Sequence, residues 1–145
     1  MCSRDIKVDF TLDEKLYYPV LEKPVKAPYS DCKDSKNEIK AYSLEEILVE
    51  KLCALIGRTE PRDLYDAYFL LEVGQLDYQS VAYFFPQKAE PKGVNPKRLT
   101  LILTEKEAIF NRLWESRLSQ QVDELPPLDG VIRKTNKYLR QYRIV

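Results

Sequence analysis

Two adjoining segments carry charged residues of the types that bind phosphate or move protons. Lys51 and Arg58 lie two helical turns apart, and Asp63 and Asp66 follow at the spacing i and i+3. Lysine supplies a compact point charge that suits a phosphate. A carboxylate pair at this spacing can act as a general base or hold Mg²⁺. Two cations on one face repel each other unless an anion lies between them, so the pattern favours a phosphate site where the segments meet.

The first segment has the pattern of an amphipathic helix that begins at Ser43. Ser43 and Glu46 form an S-x-x-E capping box, which marks a helix start. Apolar residues follow with the helical period and predict a buried stripe of Leu44, Ile47, Leu48, Leu52 and Leu55. Lys51 lies in the middle of this stripe and Arg58 lies below it on the same face. A cation there loses solvation and needs a partner.

The second segment predicts a helix that begins at Pro61, because proline suits the first helical position. Arg62, Asp63 and Asp66 share one side of this helix, and Gly74 is its expected end. We therefore expect two cations and a carboxylate pair to converge at the corner between the two helices.

Simpler interpretations of these charges stay open. Lys51 can extend past the apolar stripe to reach water. Arg62 and Asp66 are i,i+4 partners that can form a surface ion pair. Acidic residues are also favoured in the first turn of any helix.

The composition excludes several classes of site. The chain has 145 residues, enough for one domain with a real core. Its 23 basic and 23 acidic residues cancel, so no global field attracts nucleic acid. Histidine is absent, which removes Ser–His and Cys–His catalysis. The three cysteines show no C-x-x-C spacing, so neither a disulfide framework nor a zinc cluster is expected.

The location follows from the absence of targeting signals. No apolar run approaches the ~20 residues that a membrane helix needs, and the chain opens without the pattern of a signal peptide. We expect a cytoplasmic protein that does not enter the membrane.

The remaining pattern predicts strands before Ser43 and helices after it. The predicted strands are Ile6–Leu12, Leu16–Val20 and Ile39–Tyr42. Three later helices are predicted: one from about Tyr78 to Phe85 that ends before Pro86, one that follows a Thr104–Glu107 capping box, and one from about Asp129 to Tyr142. The segment Leu99–Leu103 is ambiguous between strand and helix. The fold class is therefore α+β, a short N-terminal sheet followed by a helical body. We expect one domain over residues 1–145, strand-rich over residues 1–42 and helical over residues 43–145.

Two further features have both a functional and a simpler interpretation. The last predicted helix has a basic face of Arg133, Lys134, Lys137 and Arg140, which can contact RNA or DNA phosphates. A solvated face on a surface helix explains the same pattern. Asp9 points away from the apolar face of its predicted strand, as an ordinary solvated aspartate would.

The run from Tyr42 to Leu71 resembles the nucleotidyltransferase-like toxins of the AbiEii/AbiGii family, which occur in abortive-infection and toxin–antitoxin systems. The resemblance rests on the capped helix entry at Ser43, the Glu50-Lys51-Leu52 core, Arg58 and the turn Arg62-Asp63-Leu64-Tyr65-Asp66. The strand around Asp9 is similar to the strand that carries the third carboxylate of nucleotidyltransferase folds. The strand-rich start would then be what remains of a nucleotidyltransferase sheet.

The resemblance implies a role for each candidate residue. Enzymes of this kind transfer a nucleotide from a nucleoside triphosphate to an acceptor, in some relatives tRNA, with Mg²⁺ held by carboxylates. Asp9 would be a metal ligand or the base that activates the acceptor. Lys51 would contact the triphosphate, and Asp63 or Asp66 would organise the helical side of the site. Arg58 and Arg62 would support phosphate or pair with those acids.

One motif of the family has no counterpart in this sequence. A glycine-serine turn and an acid-x-acid strand should precede Asp9, where only Met1-Cys2-Ser3-Arg4-Asp5 stands. The expectation is a truncated or split protein that does not catalyse nucleotide transfer alone. Its partners would be a complementary N-terminal chain, an antitoxin, an RNA acceptor or a second copy. The alternative is a non-catalytic module that binds an antitoxin-like protein or RNA.

Overall fold

The described residues of the chain combine a two-stranded sheet with a helical body. The computed structural model describes residues 8, 11, 14–25, 38–73 and 75–145. The strands are β1 (Leu21–Pro24) and β2 (Glu38–Ala41). The helices are α1 (Leu44–Gly57), α2 (Pro61–Val73), α3 (Tyr78–Ala89), α4 (Leu99–Glu105), α5 (Glu107–Leu118) and α6 (Leu128–Gln141), with a 3₁₀ turn at Pro96–Arg98. This arrangement confirms the α+β class.

The sheet differs in part from its prediction. β2 overlaps the predicted strand Ile39–Tyr42 but begins and ends one residue earlier, and it pairs antiparallel with β1. The predicted strand Leu16–Val20 is wrong, because the backbone N–H groups of Tyr17 and Tyr18 donate to the Glu46 carboxylate rather than to a neighbouring strand. Most of the predicted strand Ile6–Leu12, including Asp9, lies outside the described residues.

The corner between α1 and α2 forms where the pattern places it. The Ser43 hydroxyl accepts a hydrogen bond from the Glu46 N–H at 3.1 Å, which caps α1 as predicted. The Glu46 carboxylate does not complete a capping box, since Tyr17, Tyr18 and Lys88 donate to it. α2 begins at Pro61 as predicted and ends at Val73, while Gly74 lies outside the described residues.

The third helix continues through Pro86, although the sequence pattern predicts an end before it. Proline lacks an N–H and removes one helical hydrogen bond, but it does so here in the last turn of α3. Phe85 before it and Lys88 after it are both buried. Burial of these two side chains holds the last turn in place against the cost of the proline.

The segment after the 3₁₀ turn is helical. Leu99–Leu103, ambiguous in sequence, belongs to α4. The predicted capping box is wrong, because the Thr104 hydroxyl donates back to the Thr100 carbonyl within α4. α5 begins at Glu107 without a side-chain cap. Its apolar face is buried at Phe110, Trp114 and Leu118, whereas Ile109 is exposed.

Helix α1 lies at the centre of the core. It packs against α2, α3 and α4, and α2 in turn packs against α5 and α6. Leu48, Leu52 and Leu55 are fully buried, as the predicted stripe requires, but Leu44 is exposed at the start of the helix. This packing carries the Lys51 side of α1 to the edge of the core, directly opposite the first turn of α2.

Candidate functional site

Both cations of the α1–α2 corner, Lys51 and Arg58, converge on one buried carboxylate, that of Asp63. Asp63 is 1% exposed, and the Nζ atom of Lys51 lies 3.0 Å from its Oδ1. Arg58 donates from Nε to Oδ2 at 2.7 Å and from Nη2 to Oδ1 at 3.1 Å, a bidentate pair. Lys51 also contacts Oδ2 of Asp66 at 2.7 Å. The predicted convergence is therefore present in the structure.

The anion between the two cations is a side chain of the protein itself. Burial raises the pKa of Asp63, but the hydrogen bonds from Arg58 and Lys51 outweigh burial and hold that pKa below its ordinary value. Burial lowers the pKa of Lys51, and its bonds to Asp66 and Asp63 raise it above the ordinary value overall. The corner thus keeps two cations and one buried carboxylate charged at neutral pH.

Arg62 lies apart from this cluster. Its Nε donates to Glu60 at 3.3 Å, and it does not form the i,i+4 pair with Asp66 that the spacing allows. Asp66 pairs with Lys51 instead, across the corner. The simpler interpretation of Lys51 as a side chain that only reaches water is also wrong, because its ammonium is held by two carboxylates.

A recess of about 370 Å³ opens beside the corner. Lys51, Arg58 and Asp63 line it together with Glu50 and Lys92. The apolar part of its lining comes from Cys53, Ala54, Gly57 and Val94. Because burial raises the pKa of Cys53 to about 12, its thiol stays protonated and is no nucleophile. The recess therefore offers three cationic side chains and two carboxylates to a ligand.

Lys88 organises a second ionic cluster, which the sequence pattern did not predict. This lysine is 2% exposed, and its Nζ contacts Oε1 of Glu46 and lies 2.8 Å from Glu14 and 3.0 Å from Glu50. It also donates to the backbone carbonyl of Lys15 at 3.2 Å. The cluster fastens the segment around Glu14 to the helical body.

The electrostatics of this second cluster are strong. Burial raises the pKa of Glu14, but its bonds and charge interactions with Lys88 and Lys92 bring that pKa down from 4.5 to about 2. Burial lowers the pKa of Lys88, and its three carboxylate partners raise it well above the ordinary value overall. A sequence signal for Lys88 does exist, since it shares the buried α3 face of Val81 and Phe85. Because the helix was predicted to end before Pro86, Lys88 lay outside the predicted helix and was not assigned to its buried face.

Lys92 belongs to the Lys88 cluster and also lines the recess at the corner. Its Nζ lies 2.7 Å from Glu50 and 3.3 Å from Glu14, and its side chain lines the recess beside Arg58. Lys92 stands in the proline-rich loop after α3, where the sequence pattern gives a lone basic residue no special position. It is the candidate site residue that sequence reasoning missed.

The described carboxylates do not fit a magnesium site. Within residues 14–25, 38–73 and 75–145, no group of three potential metal ligands comes together. The oxygens of Asp63 and one oxygen of Asp66 are already engaged by Lys51 and Arg58. Asp9, the predicted metal ligand and base, lies outside the described residues.

A recess of about 990 Å³ lies elsewhere, between α5 and the Pro126–Pro127 turn. Trp114 closes this turn by donating from its indole N–H to the Pro126 carbonyl at 2.9 Å. Glu107, Glu115 and Asp129 line the recess with Arg112 as the one cation. Its acidic lining makes it a poor site for phosphate.

Among the described residues, no helix has the length and apolar character needed to span a membrane.

Comparison with known proteins gives one match. The family model described as nucleotidyl transferase AbiEii toxin, Type IV TA system, matches residues 3–140. Searches of curated proteins and of solved structures return no significant match. The family match spans the α1–α2 corner, the Lys88 cluster and nearly all of α6. The chain therefore belongs to the AbiEii nucleotidyl transferase toxin family of Type IV toxin–antitoxin systems.

Proposed function

We propose that the recess beside the α1–α2 corner binds the triphosphate of a nucleoside triphosphate for transfer of its nucleotide to an acceptor. The observation that carries this proposal is the group of three cations, Lys51, Arg58 and Lys92, around one recess. Phosphoryl and nucleotidyl transfer depend largely on positioning and on neutralising phosphate charge. Fixed cations at such a recess serve both purposes.

Each residue of the corner has a distinct role in this proposal. Arg58 is the most exposed of the cations, with 65% of its side chain accessible, and its guanidinium can reach phosphate while Asp63 holds it. Lys92 supplies the third cation of the lining. Asp63 and Asp66 orient Lys51 and Arg58 rather than acting on the substrate. A phosphate that enters the recess would compete with the carboxylates that hold these cations, chiefly Asp63, Asp66 and Glu50.

The carboxylate that binds the metal or activates the acceptor would come from the segment that contains Asp9. There Asp9 would act as a metal ligand or as the base that activates the acceptor, the role that the family resemblance implies. Mg²⁺ would arrive bound to the triphosphate, since hard cations of this kind bind phosphate oxygens readily. The residues of the corner would bind and orient the phosphates and would not transfer protons or bind the metal.

Calorimetric titration of the purified chain with ATP, GTP, CTP and UTP in the presence of Mg²⁺ tests this proposal. Arg58→Gln should weaken the best nucleotide by about tenfold or more, because a charge-assisted hydrogen bond contributes roughly 1.5–3 kcal/mol. Arg62→Gln is the matched control, as it removes the same charge from a residue that pairs with Glu60 outside the recess. Equal losses in the two variants, or no affinity of the parent chain for any nucleotide, would overturn the assignment.

The second candidate function is protein binding through the two-stranded sheet. Five apolar side chains are exposed on or beside it, namely Val20, Val25, Ile39, Tyr42 and Leu44. Neither strand has an outer neighbour among the described residues, and open strand edges invite pairing with another chain. This surface suits an antitoxin or a second copy of the chain.

Light scattering on the purified chain, alone and with the co-expressed antitoxin, tests the second candidate. Ile39→Asp should abolish any complex by placing a charge in the apolar patch, whereas Ile109→Asp, an exposed isoleucine on α5, should not. Protein binding would be ruled out if light scattering showed a monomer both for the chain alone and in the presence of the antitoxin. Clear nucleotide affinity in the calorimetric titration would exclude a purely non-catalytic module.

A further inference from the structure

The segment that precedes β1 is tied to the helical body by hydrogen bonds. It comprises residues 14–18, and we call it the strap. The N–H groups of Tyr17 and Tyr18 donate to Oε2 of Glu46 at 2.9 and 3.0 Å. The Tyr17 hydroxyl donates to the Gln87 carbonyl at 2.9 Å. One end of the strap is therefore held by a carboxylate of α1 and a carbonyl of α3.

Glu14 fastens the other end of the strap through two lysines. Its Oε1 lies 2.8 Å from Nζ of Lys88 and 3.3 Å from Nζ of Lys92. Lys88 is buried, whereas the Lys92 side chain is one third exposed and lines the recess beside the α1–α2 corner. The strap and the proposed nucleotide recess therefore share one cation.

The cluster that contains these lysines has more carboxylates than cations. Glu14, Glu46 and Glu50 supply three negative charges, while Lys88 and Lys92 supply two positive charges. If Lys92 left the cluster, three carboxylates would remain on Lys88 alone, and like charges that share a site repel each other. Glu46 and Glu50 are fixed on α1. Glu14 on the strap is therefore the carboxylate that is free to move away.

An anion in the recess competes with the strap for Lys92. The other two cations of the recess, Lys51 and Arg58, are held by carboxylates of α2. Lys92 differs from them because Glu14, one of its partners, belongs to the strap. A phosphate group that takes Lys92 withdraws it from Glu14, and a seated strap keeps part of the charge of Lys92 from the phosphate.

We infer that the strap is an autoinhibitory contact, so that the recess binds phosphate groups weakly while Glu14 holds Lys92 and more tightly once the strap is released. The coupling is reciprocal, since an anion that prefers the released state favours release by the same factor. One partly exposed ion pair supports a factor of about two to five. The inference rests on the proposed function for the recess as a phosphate site, and it adds regulation to that site.

Calorimetric titration of the purified chain with inorganic tripolyphosphate measures the effect on affinity. Glu14→Gln should bind tripolyphosphate about two- to fivefold more tightly than the parent chain. In a Lys92→Met background the same substitution should leave the affinity unchanged, because no Lys92 remains to be released. Glu60→Gln is the matched control, since Glu60 pairs with Arg62 and acts by its charge on Arg58. Its effect on affinity should be equal in the two backgrounds.

Hydrogen exchange followed by NMR measures the seating of the strap directly. Saturating tripolyphosphate should speed exchange of the Tyr17 and Tyr18 N–H groups by the same two- to fivefold in the parent chain. It should have no effect on them in Lys92→Met. The indole N–H of Trp114, which donates to the Pro126 carbonyl, is the control outside the strap and should not change. This measurement on the parent chain does not depend on the folding of any variant.

Several results would overturn the inference. They are unchanged exchange of the strap at saturation, or a gain from Glu14→Gln that survives in the Lys92→Met background. Binding that Arg58→Gln weakens and Glu14→Gln does not strengthen would end this inference and leave the proposed function standing. Absence of tripolyphosphate affinity in the parent chain and in Glu14→Gln alike would end both. Circular dichroism of each variant separates loss of binding from loss of fold.

Discussion

The ammonium of Lys51 lies 3.0 Å from the buried carboxylate of Asp63, and this contact joins α1 to α2. Asp63 also holds Arg58, so the corner is neutralised from within. A phosphate that enters the adjoining recess finds cations already oriented by a carboxylate. The same contact makes Asp63 a structural residue of the corner as well as a positioning residue of the proposed site.

We expect Asp63→Asn to destabilise the fold by about 2–3 kcal/mol. The change leaves Lys51 and Arg58 without their shared anion, and the loss falls below the ~3–5 kcal/mol of a fully buried pair because the Arg58 side chain is largely exposed. Urea unfolding followed by circular dichroism measures this difference. Asp66→Asn is the control, since Asp66 is 43% exposed and should cost less than about 1 kcal/mol. The reverse order of the two losses would contradict this account of the corner.

Lys88→Met should cost about 3–5 kcal/mol at pH 7. It removes the one buried cation that neutralises Glu46, Glu14 and Glu50, and it leaves Glu46 charged and buried. Lys92→Met, at a lysine one third exposed, should cost under about 1 kcal/mol. Chemical unfolding at neutral pH compares the two variants. If they lost equal stability, Lys88 would be no more than a surface lysine.

Stability should fall as the pH drops from about 4.5 toward about 2. The pKa of Glu14 is depressed in the folded state, so its contribution is present above the unfolded pKa of 4.5 and is lost as the pH falls through about 2. The groups that face Glu14 are Lys88, Lys92 and Glu50. Glu14→Gln should be less stable than the parent at pH 7, and the gap should close at low pH. A gap that stays constant across thermal melts from pH 7 to 2 would argue against this linkage.

Thr135→Val should stabilise the protein by about 1 kcal/mol. The Thr135 side chain is fully buried on α6, and its hydroxyl has no hydrogen-bond partner among the described residues. Valine has nearly the same shape and removes a buried polar group that costs ~1–3 kcal/mol when unpaired. Denaturant unfolding provides the measurement, with Thr100→Val as the control at a residue of α4. A destabilised Thr135→Val variant would mean that the hydroxyl has a partner.

The sequence by itself determined the features that depend on neighbours in the chain. Ser43 and Pro61 mark helix starts because capping and proline geometry act within one turn. The helical period placed Lys51, Arg58 and Asp63 at one corner because only a short turn separates the two helices. The resemblance of this stretch to the AbiEii family was confirmed by the match over residues 3–140.

Only the tertiary structure decided which charges pair and which stay available. Lys88 meets Glu46 across a separation that no local pattern spans, and the packing of α3 on α1 brings them together. The fold also places Lys92 at the recess, and it pairs Lys51 rather than Arg62 with Asp66. On α6 the sequence offers four equivalent cations, and contact with Glu72 of α2 removes Lys134 from that set. Partner choice between charges depends on distance in space, which the order of residues along the chain does not contain.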